Sequence, residues 1–478
     1  MDLRVIELFE QISSIPRASG NEKGISDYLL AFAQKHGLGA KRDDHLNVII
    51  EKAAAKGKES GTAIFIQAHM DMVCEKVPES SHDFERDGIK IVKDGDFLSA
   101  QGTSLGADNG IGMAILLRLL EEDFANPRIV AIFSADEERG LAGVKNLDLS
   151  DYSDISALIN LDGEEEGIFW ASCAGGIRSR VELGITPEPY HKEVDCVHYT
   201  IEVKGLSGGH SGLAIDQERA NAILVLARIL RRASGIFPLK LLDIIGGGKE
   251  NSIPTTARAT VSFKKAQVDK AQNLVTAVAQ EIRHEYLATE KQIGISFDES
   301  DAKYDLCAKP DDIRRLTDLL LLMPNGLIKK DIVSGCAVAS SNLGIISMEK
   351  GKMIASSMVR SNINSIKYEV CEQFSVLARL LSGKFCTGND YPAWEYKSES
   401  KLREHLVAVY QNEFARLPKI QSVHGGLECA YLAEKIPGID MVVIGCNIYD
   451  VHSIRERVSI SSAMRVYKFL KSVVERYR

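Results

Sequence analysis

Surplus positive charge, paired cysteines and long apolar runs are all missing from this sequence, and each absence removes a class of function. Lys and Arg number 58 against 66 Asp and Glu, for a formal net charge of -8. Such a chain has no basic excess with which to meet a phosphate backbone or an anionic lipid surface, so neither nucleic acid nor membrane is an expected partner. Nine cysteines are scattered without a CxxC pair, which argues against a disulfide scaffold or a zinc ribbon and fits a reducing cytosol. Nowhere do about eighteen apolar residues run together, the length needed to cross a bilayer. The opening MDLRVIELFEQISSIPRASG carries charges throughout and lacks the apolar centre of an export signal. A cytoplasmic location is the expectation.

What is present is an ordinary globular composition, 45% hydrophobic and 26% charged. At 478 residues the chain exceeds the size of a single core, so at least two domains are expected. Val5, Leu8, Phe9 and Ile12 recur at helical spacing, and NEKGISDYLLAFAQKHG reads as a second amphipathic helix closed by a glycine. Four apolar runs then read as strands of a sheet covered on both faces: TAIFIQAHMD, RIVAIFSADEE, SALINLDGEEE and MVVIGCNIYDVHS. Helical segments lie between them, one from Gly110 in GIGMAILLRLLEED.

From about residue 187 the texture changes. VHYTIEVKG and ARATVSFKKA alternate as half-exposed strands do, and they flank a long helix, DQERANAILVLARILRRAS. After the helix AQNLVTAVAQEIRHEYL a similar order returns: a helix over 311–323, strands in SSNLGIISMEKGKMIASSMVRSN, and a helix ending near Leu381. The pattern predicts an inserted α+β domain of two βαββα-like halves, with SGKFCTGNDYPAWEY as the return crossing. The expected division is a first domain in two parts, 1–186 and 393–478, around an insert at 187–392.

All four apolar runs end in acids or histidine: His69 and Asp71, Glu137 and Glu138, Asp162, and His452. The carboxyl ends of parallel strands converge on one crevice, where ligands bind. Left unpaired in an apolar setting, such groups would cost roughly 2–7 kcal/mol each, and more when charged. A divalent metal compensates them, because zinc and manganese take imidazole and carboxylate ligands. His69, Asp108 in GTSLGADNGIG, Glu138, Asp162 and His452 are too many for one tetrahedral zinc. They suit two ions about 3.5–4 Å apart that share a bridging carboxylate. Asp108 is the natural bridge, since its glycine-flanked loop allows close backbone approach. Asp71 lies two residues after His69 on the same side of the strand, placed to orient that histidine. Glu137 is then left as general base. Each segment alone also reads as a surface pair, a helix-start acid or an acidic turn; their coincidence at four strand ends is what favours the metal site.

These residues, with HMDMVCEK, GTSLGADNGIGMA, DEERGLAG, LINLDGEEEG, GLSGGHSG, SSNLG, VRS and HGGLEC, resemble the dinuclear zinc metallopeptidase family of the aminoacylases and carboxypeptidase G-type enzymes. The resemblance spans nearly the whole chain and is nearest to the family's dipeptidase subgroup. It implies a zinc-exopeptidase-like mixed α/β sheet flanked by helices, with an inserted α+β lid. It assigns His69, Asp108 and Asp162 to one metal and Asp108, Glu138 and His452 to the other, most often zinc, with manganese or cobalt as alternatives. Asp71 becomes the orienting acid and Glu137 the base. His210 in LSGGHSG matches the lid histidine that stabilises the oxyanion, and Asn251 and Arg360 match substrate-binding positions. A homodimer is implied as well. Departures from the pattern fall in HSIRERV, in IPTTA and at Gly425, none of them at a metal ligand.

The expected activity is metal-dependent hydrolysis of unblocked dipeptides, Xaa-His among them, by activated water with Glu137 as base. The rivals are an N-acyl amino acid deacylase or tripeptidase using the same machinery, and a peptide-binding protein without catalysis.

Overall fold

The computed structural model describes residues 3–477 apart from 60, 186, 191–192, 333–334 and 350. It divides into two compact units: one of residues 1–173, 396–422 and 427–478, the other of 174–395 and 423–426. Relative to the expected division, the second unit also takes in the strand Gly175–Gly184 and the short segment 423–426.

The first unit is built on an eight-stranded sheet whose centre is the four expected runs. Ile64–His69 pairs in parallel with Ile129–Ser134 on one side and Ala157–Gly163 on the other, and Ala157–Gly163 pairs in parallel with Asp440–Gly445. Ile64–His69 and Ile129–Ser134 are buried along their whole length, as continuous apolar runs require when both faces are covered. Among the covering helices, Arg4–Ser13 turns Leu8, Phe9 and Ile12 inward, and Ala107–Glu121 buries Ile111, Ile115 and Leu119 in the same core. Register puts His69 beside Ser134 and Gly445 beside Gly163, so the strands finish level. A Cβ at Gly445 would lie 1.6 Å from the Gly163 carbonyl oxygen, so only glycine admits this approach next to Asp162.

The second unit holds a larger, antiparallel sheet with its own apolar core. The expected strands are Cys196–Lys204, Ala257–Lys264, Ala337–Glu349 and Lys352–Ser361. The helix expected across DQERANAILVLARILRRAS begins later, at Ala222–Ser234, because Asn221 caps it by accepting from the backbone N–H groups of Ile223 and Leu224. The predicted return crossing is in part a strand. Lys384–Tyr391 pairs antiparallel with Gly175–Gly184 at the sheet edge. Its largely exposed side chains left no apolar alternation to read.

Candidate active site

The strand ends of the first unit gather the predicted residues. His69 is 1% exposed, with Nε2 lying 3.0 Å from Asp108 Oδ1 and 3.3 Å from Asp162 Oδ1. The other oxygen of Asp108 faces His452, whose Nε2 lies 3.1 Å from Oδ2 and 2.8 Å from Glu138 Oε1. Ligand atoms of His69, Asp108 and Asp162 lie within 4.8 Å of one another, and so do those of Asp108, Glu138 and His452. Asp108 alone is common to both sets, one oxygen turned to each. His69, Glu137 and Glu138 also fall within that range, but this grouping leaves Asp108, Asp162 and His452 unexplained.

Asp71 lies where the two-residue spacing placed it, with Oδ1 3.5 Å from His69 Nδ1. It does more than orient that ring. It accepts the backbone N–H groups of Glu137 at 2.9 Å and Glu138 at 3.1 Å, and the Ser19 hydroxyl at 2.7 Å. One buried carboxylate thereby ties the strand end carrying His69 to the turn carrying Glu137 and Glu138. Burial opposes its ionisation, but His69 and these donors hold its pKa down at about 2.

The clustered acids make the surroundings of both imidazoles strongly negative. His452 is pushed up to about 11 by Asp108 and Glu138. Burial would favour neutral His69, yet Asp162, Asp108 and Asp71 outweigh it and raise its pKa well above the usual range. Burial drives Asp162 and Glu137 upward; Asp108 adds to the shift at Asp162, Glu138 and Asp162 add to it at Glu137, and His69 opposes both. The donor set fits two divalent ions: imidazole and carboxylate only, a carboxylate with its oxygens divided between the two sets, and His69 Nδ1 without a hydrogen bond but facing Asp71. A cation on Nε2 leaves the proton on Nδ1, directed at Asp71.

His210, Asn251 and Arg360 belong to the second unit. The backbone N–H groups of Gly212 and Leu213 approach His210 Nδ1 at 3.3 and 3.2 Å. Arg360 Nη2 lies 3.3 Å from His210 Nε2, while Nη1 donates to the Tyr391 hydroxyl at 2.7 Å. Asn251 is an exposed turn residue whose backbone carbonyl accepts from Ser211 N–H at 2.9 Å, so its main chain is tied to the His210 segment.

Three further buried groups had no role assigned from the sequence. His424 joins Ser340 Oγ at 2.7 Å and Asn362 Oδ1 at 3.0 Å, and burial, then Arg360 and His210, lower its pKa to about 3. Glu428, in the first unit, accepts from Gln67 and from Ser134 Oγ, and burial lifts it to about 7. Glu456 accepts four backbone N–H groups of residues 105–108. His424 and Glu428 are the ends of the HGGLEC motif, whose wording gives them no role because their partners lie far away in sequence; Glu456 carried a faint signal, an acid four residues after His452.

A family model described as peptidase family M20/M25/M40 matches residues 65–476. The cytosol non-specific dipeptidase of Escherichia coli (strain K12) is 33% identical over 472 residues, 98% of this chain and 96% of the relative. The solved aminoacylhistidine dipeptidase from Vibrio alginolyticus superposes with a TM-score of 0.88 at 31% identity, covering 99% of this chain and 96% of that one. A tripeptidase from Staphylococcus aureus subsp. aureus mu50 shares the fold, with a TM-score of 0.59 at 16% identity over 99% of this chain and 97% of that one. With strand ends, ligand sets and full-length matches in agreement, this chain is a hydrolase belonging to peptidase family M20/M25/M40.

Proposed function

We propose that this chain is a cytoplasmic two-metal dipeptidase that cleaves the peptide bond of unblocked dipeptides, Xaa-His included. The observation that carries the metal reading is Asp108, one oxygen toward His69 and Asp162 and the other toward His452 and Glu138. The dipeptide reading draws on full-length likeness to two proteins named as dipeptidases.

When bound, two divalent ions, zinc in the first instance, supply Lewis acidity that polarises the scissile carbonyl and makes water acidic. Glu137 takes the proton of the attacking water and returns it to the leaving amine; burial among acids has already raised its proton affinity. Asp71 orients His69 and fixes the backbone of Glu137 and Glu138. His210 is assigned the stabilisation of the developing oxyanion. The Arg360 guanidinium suits a substrate carboxylate, and Asn251 is assigned to substrate binding alongside it. The second unit is assigned the role of lid, and the active species that of a homodimer.

Steady-state kinetics on Xaa-His, other dipeptides, tripeptides and N-acetyl amino acids test this reading. Dipeptides are expected to exceed the others in kcat/KM by about tenfold or more. Preference for N-acetyl amino acids or tripeptides would replace the dipeptidase reading with one of those activities.

A further inference from the structure

The loop that carries Asp108 is gripped from two sides by buried charged residues outside both ligand sets. From one side comes Glu456, 3% exposed. Its Oε2 accepts the N–H groups of Leu105 and Gly106 at 2.8 and 2.9 Å, and its Oε1 those of Ala107 and Asp108 at 2.7 and 3.2 Å. From the other comes Arg17, 1% exposed, which donates to the carbonyls of Met70 and Asp71 at 3.0 Å each and to that of Gly106. Gly106 is thus held by its N–H and by its C=O at once. Its φ of +68° and the Arg17 Nη2 only 2.5 Å from where a Cβ would stand admit glycine alone.

The chain positions of the two grips matter. Glu456 follows His452 by four residues, on a loop between the paired strands Ile448–Tyr449 and Arg457–Ser459. Arg17 bonds the two residues that follow His69. Together they connect the His452 loop, the Asp108 loop and the end of the His69 strand by hydrogen bonds that involve no ligand side chain. We infer that Glu456 and Arg17 form a clamp that sets the Asp108 carboxylate between the two half-sites, and that Glu456 is a positioning residue for the ion held by Asp108, Glu138 and His452. This rests on the two-metal reading above. The reason is geometric: a bridge must present both oxygens in fixed directions, and four N–H donors on one carboxylate remove the freedom of the backbone that carries it. His452 is itself partly exposed and in the left-handed region at φ 57°, so its loop gains its fixed point from Glu456.

Glu456→Gln is the test. It preserves size but turns an NH₂ toward one pair of backbone donors. Calorimetric titration of chelator-stripped protein with zinc, with metal content measured independently, is expected to show the first ion nearly unchanged and the second weakened by about 10–100-fold. At saturating metal, kcat is expected to fall with KM for the dipeptide little changed, a split that general loosening of the fold would not give. Glu456→Asp, charged but shorter, is expected to fall between wild type and Gln, and it serves alone if Gln does not fold. Arg17→Lys is expected to weaken both ions, since Lys cannot reach three carbonyls. Wild-type second-site affinity in whichever Glu456 variant folds would overturn the clamp. Failure of the wild type to bind a second ion would instead overturn the two-metal reading.

Discussion

The two units present opposite chemistries. The first gathers Asp108, Asp162, Glu137 and Glu138 around two imidazoles, an arrangement that needs added positive charge. The second gathers Arg360, Tyr391, His210 and a neutral buried His424, a setting that favours an anion. On the proposed reading, the first suits metals for the carbonyl and the second a cation for a substrate's terminal carboxylate. The contrast also shows two ways of building a site: strand ends that finish level, and side chains brought together across sheet register from residues 31 to 150 positions apart.

The sharpest way to separate the two sites is Glu137→Ala. It should reduce kcat by about 10²–10⁴-fold while metal content stays at wild type, as removal of a proton shuttle requires. Equal loss of metal would make Glu137 a ligand and erase the distinction between its role and that of Glu138.

Metal removal should affect the units unequally. The two tryptophans report on them separately, Trp170 in the strand Ile168–Cys173 of the first unit and Trp394 in the second. An ion at about a thousand times its Kd stabilises by about 4 kcal/mol. Chelation should therefore lower the melting midpoint followed in Trp394→Phe, where only Trp170 remains, more than the midpoint followed in Trp170→Phe. Equal shifts would mean that the units melt as one.

Arg360→Met should cost about 1.5–3 kcal/mol in kcat/KM, chiefly through KM, as loss of a charge-assisted bond does. A dipeptide amide, lacking the carboxylate, should lose little on the same substitution. Identical losses on acid and amide would remove Arg360 from carboxylate recognition.

A last effect is expected on the acid limb of stability. His424 has a folded pKa near 3, below its unfolded value, so its contribution is complete above about pH 6.5 and is lost as pH falls toward 3. The slope for one such proton is about 1.4 kcal/mol per pH unit. His424→Gln should flatten denaturant-derived stability between pH 6 and 4, and an unchanged slope would assign the acid sensitivity to other groups.

Much of the clustering in the first unit was legible in the sequence. Parallel strands covered on both faces must be apolar throughout, so His69, Asp71, Glu137, Glu138 and Asp162 stood out as interruptions at run ends. Asp108 was legible through its flanking glycines. The second unit was less so. Lys384–Tyr391 has a solvent-facing side and no alternation, and the surroundings of Arg360 depend on Tyr391 and His424, which no spacing rule connects to it. The partners of Glu428 and Glu456 were hidden for a related reason: a buried acid bonded to side-chain or backbone donors leaves no periodic trace, and only the folded chain brings Gln67, Ser134 or residues 105–108 to it.

The central claim, two metals joined through Asp108 and served by Glu137, is tested most directly by titrating chelator-stripped protein with zinc while following both bound metal and hydrolysis of an Xaa-His dipeptide, with Glu137→Ala in parallel. The account predicts two ions per chain in both proteins, with turnover restored by metal in the wild type alone. A single bound ion at full activity, or turnover that survives Glu137→Ala, would contradict it.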